Sequence, residues 1–328
     1  MVTKQRGFAL ITVLLVAALV AIISGQLLGQ QNAQIQRSGY MLHQAQAMSV
    51  AWGLESWVKQ GLKLDGENNK VDHLNEVWAQ PLPPIPFEEG EISGILLDAQ
   101  ANLNVNNLLL PLPEQEQEGE TSSAKMWSAV FDRYAQQQGF NVPLADLIGD
   151  WVDQDSEPRL SGAESDQYLL NQPAYSAANL PMVSTQEVLN LAGVNELNYQ
   201  QRQLLLTNLS ALPKVVQINI NTAPQAVIQA LSDWVTVDIA QAWINERLVT
   251  PAESLQNFHD FMVQASGLTQ EEVAKALPDT LISVHSEFFI LNGRVDFGLV
   301  QQQVSALFYR DGQNQVKLLQ RWLSVPES

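Results

Sequence analysis

Residues 6–28 read RGFALITVLLVAALVAIISGQLL, and the nature of this stretch decides what the rest of the chain has to be. No formal charge occurs from Gly7 through Gln36, and the 21 residues from Phe8 to Leu28 are almost wholly apolar. At about 1.5 Å per helical residue, a run of that length spans roughly 30 Å, the thickness of a bilayer's hydrocarbon core. Lys4 and Arg6 in front of it keep the amino end on the cytoplasmic side. Three fates are open to such a segment: a cleaved secretory signal, an uncleaved anchor, or an anchor whose short leader is removed on the cytoplasmic side. A secretory signal would carry about 7–15 apolar residues and a small-x-small cleavage site. Here the run is longer and ends in the polar Ser24-Gly25-Gln26, so removal of the apolar segment is disfavoured.

Beyond Leu28 the polarity changes but the helical character does not. Residues 29–60 hold no proline and are rich in Gln, Ala, Leu and Met, all good helix formers. Met41, Leu42, Ala45, Met48, Ala51, Trp52 and Trp57 or Val58 recur at spacings of three and four, the stripe of a helix lying on a core. Gly61 is a natural stop. The pattern therefore predicts one helix from Phe8 to about Gln60, oily all round at first and amphipathic afterwards.

The remaining composition narrows the function. With 328 residues, 46% hydrophobic and 16% charged, the chain is long enough for two domains and too apolar to be disordered. Seventeen basic against 35 acidic residues give a net charge of -18, which repels polyphosphate partners, and no basic patch interrupts it. Zero cysteines exclude disulfides, thiolate metal sites and cysteine nucleophiles. His43, His73, His259 and His285 are scattered, and no HExxH, GxSxG or GxxxxGK[ST] string occurs, so the chain is not expected to be an enzyme.

Arg6-Gly7 followed by Phe8-Ala9-Leu10-Ile11-Thr12 and the apolar run resembles the leader of type IV prepilins and type II secretion pseudopilins. That resemblance implies a prepilin peptidase that cuts between Gly7 and Phe8 and methylates the new amino terminus. The fifth mature residue is then Thr12, where most pilin-like chains carry a glutamate. The missing glutamate and the length both fit one branch, the large minor pseudopilins of the protein K family of the general secretion pathway. Membership implies a place at the tip of a short periplasmic fibre, minor pseudopilins I and J as partners and contact with the inner-membrane secretion assembly platform; no nucleic acid is expected, on the charge balance. It also implies a single-pass protein of the bacterial inner membrane, held in the lipid bilayer by its helix, with its C-terminal domain periplasmic.

The interior is consistent with that plan. The stretches 81–86 (PLPPIP) and 111–123 (PLPEQEQEGETSS) read as exposed connections. Between them, Ile92 to Leu97 and then Ala101 to Leu109, in the form LLDAQANLNVNNLLL, alternate apolar residues with Asn or Asp, which suits a short strand and a turn. From Ser123 to about Pro278 helical patterns dominate, with Ser184, Thr222 and Thr269 as N-caps. After Pro278 the period becomes two. Leu281–Ile290, Gly293–Leu299, Gln303–Arg310 and Gln315–Leu323 read as four strands, with Asn292-Gly293 and Asp311-Gly312 as hairpin turns. A long helix needs a surface for its apolar stripe and a terminal sheet supplies one, which makes the helical block an insertion. The expected class is α+β: a pilin-like core, a long N-terminal helix packed on an antiparallel sheet, with a large inserted all-α domain. Its expected parts are a leader at 1–7, a transmembrane half-helix at 8–30, the first part of the core at 31–100, the helical insertion at 101–280 and the closing sheet at 281–328.

Two strings inside the insertion bear on chemistry. In DWVDQDSEPRLSGAESD over 150–166, counting Asp153 as position one puts Asp155 at three, Glu157 at five and Glu164 at twelve, the oxygen-ligand spacing of an EF-hand loop. Position six is Pro158 where an EF-hand needs glycine, so the residues alone leave open a solvated acidic loop or an irregular calcium loop. The string also resembles the calcium-binding loop of the protein K family, and that resemblance implies a structural calcium with Asp153, Asp155, Glu157, Glu164 and Asp166 as candidate ligands. The second string, QININ followed by Thr222-Ala223-Pro224, resembles the opening of helix-hairpin-helix modules. Its turn, Ser232 to Thr236, holds an aspartate and no glycine for a phosphate grip, which opposes DNA binding. A DNA-uptake or type IV pilus minor pilin, and a membrane-anchored periplasmic hydrolase using the acidic loop, remain as alternative functions.

Overall fold

The computed structural model describes residues 6–110 and 122–324. The first five residues of the leader and the acidic stretch 111–121 lie outside the described residues. Along the chain, α1 runs over Arg6–Asn68 and is followed by a hairpin of β1 (Leu82–Phe87) and β2 (Gly90–Asp98). The helical domain comes next. It contains β3 (Leu103–Asn104), α2 (Ser123–Gln137), α3 (Leu144–Val152), α4 (Ser165–Tyr168), α5 (Tyr199–Thr207) and β4 (Leu209–Ser210). It continues through β5 (Ile218–Asn219), α6 (Gln225–Ala230), α7 (Val237–Val249), α8 (Leu255–Ser266), α9 (Gln270–Ala276) and β6 (Ile282–Ser283). The chain then returns to the first sheet as β7 (Phe288–Phe297), β8 (Val300–Arg310) and β9 (Val316–Ser324).

The main sheet has five strands in the order β1-β2-β7-β8-β9, every neighbour antiparallel. One face receives α1 through Ala47, Ala51, Leu54, Val58 and Leu62, a three-and-four spacing that meets Leu291, Val295, Val304, Ala306 and Phe308. On the other face Phe288 and Leu307 pack against Ala99, Leu212 and Val216 of the helical domain. The rest of that domain has a core of its own, built around Trp127, Phe131, Tyr134, Ile148, Trp243 and Phe258. It is opened and closed by two matching parallel pairs: Leu103-Asn104 beside Leu209-Ser210, and Ile218-Asn219 beside Ile282-Ser283. Asn104, Asn106, Asn107, Asn219 and Asn221 are all buried, and their amides tie distant loops together.

Several local expectations are corrected. Of the stripe expected to face the core, only Ala51 and Val58 are buried and Met48 is half-buried; Met41, Leu42, Ala45, Trp52 and Trp57 are exposed, since the face on the sheet runs through Ala47, Ala51, Leu54, Val58 and Leu62. Gly61 does not stop α1, which continues to Asn68, because Leu62 is fully buried and Asp65 is held by Arg310 one turn later. The proline-rich 81–86 stretch is an edge strand, β1, a position where a missing N–H is tolerated. Asn292-Gly293 is not a turn but the middle of β7, which joins two expected strands into one. A Cβ on Gly293 would lie 2.8 Å from Leu54 Cδ2, so glycine is there to let α1 cross closely. The turn sits at Gly298, whose φ is +54°. The short strand and turn expected before residue 110 are present, 92–97 inside β2 and 101–110 as a two-residue strand and a 3-10 turn. Thr222 does not cap the helix that follows; its hydroxyl donates to Asp98. Ser184 and Thr269 do form capping boxes.

Candidate metal centre

The acidic loop is built on α3. Asp146 sits in the helix's first turn, where the dipole favours a negative charge, and Asp153 ends the helix. The chain then folds back along α3. Arg159 lies across the helix face at Gly149, donates its backbone N–H to Asp150 (3.2 and 3.1 Å) and reaches Asp153 Oδ2 with Nη2 at 3.2 Å. Asp150 is fully buried, and Gly162 passes so close that a Cβ would fall 1.9 Å from Asp150 Oδ2. The floor beneath is aromatic, with Trp151 edge-on to Tyr168 and Tyr168 stacked on Tyr175.

This fold-back gathers three of the expected residues. Oxygens of Asp153, Asp155 and Glu164 all lie within 4.8 Å of one another. Glu157 and Asp166 are exposed and stay outside the group; the Glu157 backbone N–H instead closes a turn on Asp155 Oδ1 at 2.9 Å. Among the described residues, five oxygens here are buried without a hydrogen-bond partner: both of Glu164, Oδ1 of Asp153, Oδ1 of Asn179 and the Tyr168 hydroxyl in the floor. Asn179 was not legible as a site residue. Its left-handed backbone (φ +47°) and its Nδ2 bond to the Asp155 carbonyl at 3.2 Å bring it to the loop from 24 residues away.

The electrostatics are those of crowded, dehydrated carboxylates. Burial pushes Asp150 up to about 6 against the opposing pull of Arg159. Asp153 is raised first by burial, and Glu164 by burial and then by the charges of Asp150 and Asp153. An all-oxygen set of carboxylates with a side-chain carbonyl suits a hard divalent cation with loose geometry, and unsatisfied buried oxygens are what such an ion would satisfy. A second carboxylate group, Asp65, Asp72 and Glu76, differs in kind, because Arg310 already occupies it.

The helix-hairpin-helix-like string is turned inward. Arg247 is buried and donates to the carbonyls of Ile220 (2.8 Å) and Ala223 (2.7 Å), while Asp233 stands exposed at the turn. At the other end of the molecule every residue of α1 from 8 to 38 is exposed, and the apolar part is long enough to cross a membrane.

Family models described as "Type II secretion system (T2SS), protein K" match residues 101–214 and 218–285, which coincide with the two strand-bounded halves of the helical domain. Type II secretion system protein K of Pseudomonas aeruginosa is 31% identical, over 97% of this chain and 92% of its own length. The protein of that name from Klebsiella pneumoniae is 29% identical, over 94% of each chain. A chain in the crystal structure of the GspK-GspI-GspJ complex from the enterotoxigenic Escherichia coli type 2 secretion system has the same fold. Its TM-score is 0.71 at 24% identity, covering 89% of this chain and all of that one. Sequence kinship over nearly the full length and a shared fold lead to one conclusion: the chain belongs to the type II secretion system protein K family.

Proposed function

We propose that this chain is a minor pseudopilin at the tip of the type II secretion pseudopilus, where it assembles with minor pseudopilins I and J. There it initiates or caps the fibre that exports folded proteins across the outer membrane. The reading rests on one observation above all. The stretch of α1 from 8 to 38, about 46 Å long at 1.5 Å per residue, is exposed at every position and is covered by nothing among the described residues. A bare helix whose first 21 residues, roughly 30 Å, are almost wholly apolar needs a bilayer, the helices of neighbouring subunits, or both. Cleavage between Gly7 and Phe8 with methylation of Phe8, an inner-membrane anchor and a periplasmic C-terminal domain complete the picture.

Thr12 supports the tip position. Its hydroxyl is satisfied within the helix, donating to the Ala9 carbonyl at 2.9 Å with Phe8 also in reach at 3.1 Å. It therefore offers no negative charge to a neighbour's terminal amine. A helical domain carried beyond the sheet would also obstruct a subunit stacked above it. The site over Asp153, Asp155 and Glu164 is assigned a structural calcium, with Asn179 as a further oxygen donor.

Mass spectrometry of the mature protein from its native host tests the processing: a chain beginning at N-methylated Phe8 is expected, and an intact Met1 or a start near residue 25 overturns it. Full-length protein co-expressed with pseudopilins I and J of the same host is expected to co-purify with both in detergent. Separation of all three under those conditions overturns the partner assignment.

A further inference from the structure

The chain enters the helical domain after Asp98 and leaves it at Ser286, and one buried polar cluster grips both crossings. Asp98 Oδ1 accepts the Gln100 N–H at 2.8 Å. Its Oδ2 accepts from Ser286 Oγ (2.6 Å), Thr222 Oγ1 (2.6 Å) and Asn219 Nδ2 (3.0 Å). Ser286 in turn donates its N–H to Asp72 (2.7 Å) and accepts from Arg310 Nη2 at its carbonyl (2.9 Å). Arg310 also binds Asp72 through Nη2 (2.6 Å) and Asp65 through Nη1 (3.0 Å). Glu76 stands behind this group on the core side, accepting from the His73 N–H, Trp78 Nε1 and Asn69 Nδ2 at 2.7–2.9 Å, and acts on the junction through the like charges of Asp65 and Asp72.

The charge balance of this junction is uneven. Asp65 from α1, Asp72 and Glu76 from the connection after it, and Asp98 from β2 bring four carboxylates, and β8 brings a single guanidinium, Arg310. Among the described residues, the donors that the helical domain supplies to Asp98 and Asp72 are neutral: the Gln100 N–H, Asn219, Thr222 and Ser286. The other titratable groups nearby are His73, His285 and Glu287, the last already paired with Lys214 at 2.7 Å. We propose that this junction is a proton-sensitive latch: protons taken up by Asp98 and Glu76 tighten the seat of the helical domain on the pilin-like core, and their loss loosens it.

The hydrogen bonds permit the change without rearrangement of the backbone. Thr222 Oγ1 has a second acceptor, the Asn219 carbonyl at 3.3 Å, so it can turn its proton there and accept one from a protonated Asp98. Burial raises Asp98 to about 6 and Glu76 to about 7, and raises Asp72 as well. Opening the junction to water would return these groups to ordinary carboxylate values. A carboxyl raised in the closed form favours closure at low pH, and that preference fades as pH climbs through its closed-form value. Between pH 5 and 8 the Asp98 shift alone increases the opening equilibrium roughly tenfold, and Glu76 adds in the same direction.

Hydrogen exchange on the full-length protein in detergent, corrected for the intrinsic pH dependence of amide exchange, reads this directly. Amides of 98–101 and 284–287 are expected to lose at least roughly tenfold in protection between pH 5.5 and 8. Amides at the centre of the β7–β8 ladder should change much less. Glu76→Gln and Asp98→Asn should each flatten the difference, and Glu76→Gln supplies the comparison if Asp98→Asn does not fold. Equal protection at the two pH values, or an undiminished difference in Glu76→Gln, overturns the latch.

Discussion

Glu55, the first acidic residue in the chain, is held by Arg321 of the last strand: the guanidinium donates Nε and Nη2 to the two carboxylate oxygens. The pair thus joins α1 to β9 through two residues 266 positions apart. Glu55 is buried, whereas Arg321 keeps about a third of its side-chain surface in solvent. Removing only the arginine leaves an uncompensated buried carboxylate. Arg321→Met is expected to destabilise by about 2–3 kcal/mol, below the range for a fully buried pair. Replacing both partners by apolar residues should recover most of that loss. Denaturant unfolding of the two variants in detergent checks the order, and a double variant weaker than Arg321→Met contradicts it.

Gly149 offers a case where helix propensity points the wrong way. Alanine inside a helix is ordinarily favoured over glycine by about 0.5–1 kcal/mol. Here a Cβ would fall 0.8 Å from Arg159 Nη1, so Gly149→Ala must displace the arginine from Asp150 and Asp153. A net loss of about 1–3 kcal/mol is expected. Asp150 is already raised to about 6, and without Arg159 it rises further, so the penalty grows as pH passes upward through that region. Melting at pH 5.5 and pH 8 checks the sign: the deficit of Gly149→Ala should be larger at pH 8.

Asn106 is fully buried and bridges two loops, donating to the carbonyls of Met182 (2.9 Å) and Leu212 (2.8 Å) and accepting the Met182 N–H (2.9 Å). Asn106→Ala strands three backbone groups and leaves a small cavity, a loss of about 3 kcal/mol or more. Asn106→Asp, although nearly the same shape, cannot donate to either carbonyl at neutral pH and buries a charge. It should be at least as damaging. Urea unfolding of both variants decides the matter, and a mild Asn106→Asp would show that the carbonyls find water.

What could be read from the sequence, and what could not, divides by range. The N-caps at Ser184 and Thr269 and the alternation after Pro278 are local patterns, and the structure contains each. The helix of α1 is equally legible but its packing face is not: of the expected stripe Ala51 and Val58 are buried, while Met41, Leu42, Trp52 and Trp57 point to solvent, because the small Ala47 and Ala51 let the helix lie close to the sheet. Gly293 misled because its reason lies in Leu54, which is remote in the chain and adjacent only once α1 crosses the sheet. The prolines of β1 misled because only the strand order reveals an edge. In the acidic loop the spacing picked out Asp153, Asp155 and Glu164, while Glu157 and Asp166 share the composition but not the enclosure. Asn179, Asp98 and Arg310 carry no local signal, since their roles exist only through partners from other segments.

The proposed calcium site makes a prediction in which one substitution acts with opposite signs under two conditions. Glu164 has two buried oxygens without partners and is raised by burial and by Asp150 and Asp153, so without a cation its charge opposes folding. Glu164→Gln in chelator is therefore expected to melt at or slightly above the unsubstituted protein. Calcium at about a hundredfold over its dissociation constant would stabilise the unsubstituted chain by about 2.7 kcal/mol. For a domain of this size that is roughly 5–10 °C. The glutamine variant, lacking the buried carboxylate ligand, should gain much less, so the order of the two melting curves reverses on adding calcium. If Glu164→Gln melts below the unsubstituted protein to the same extent in chelator and in millimolar calcium, the loop's carboxylates serve a purpose other than holding the ion.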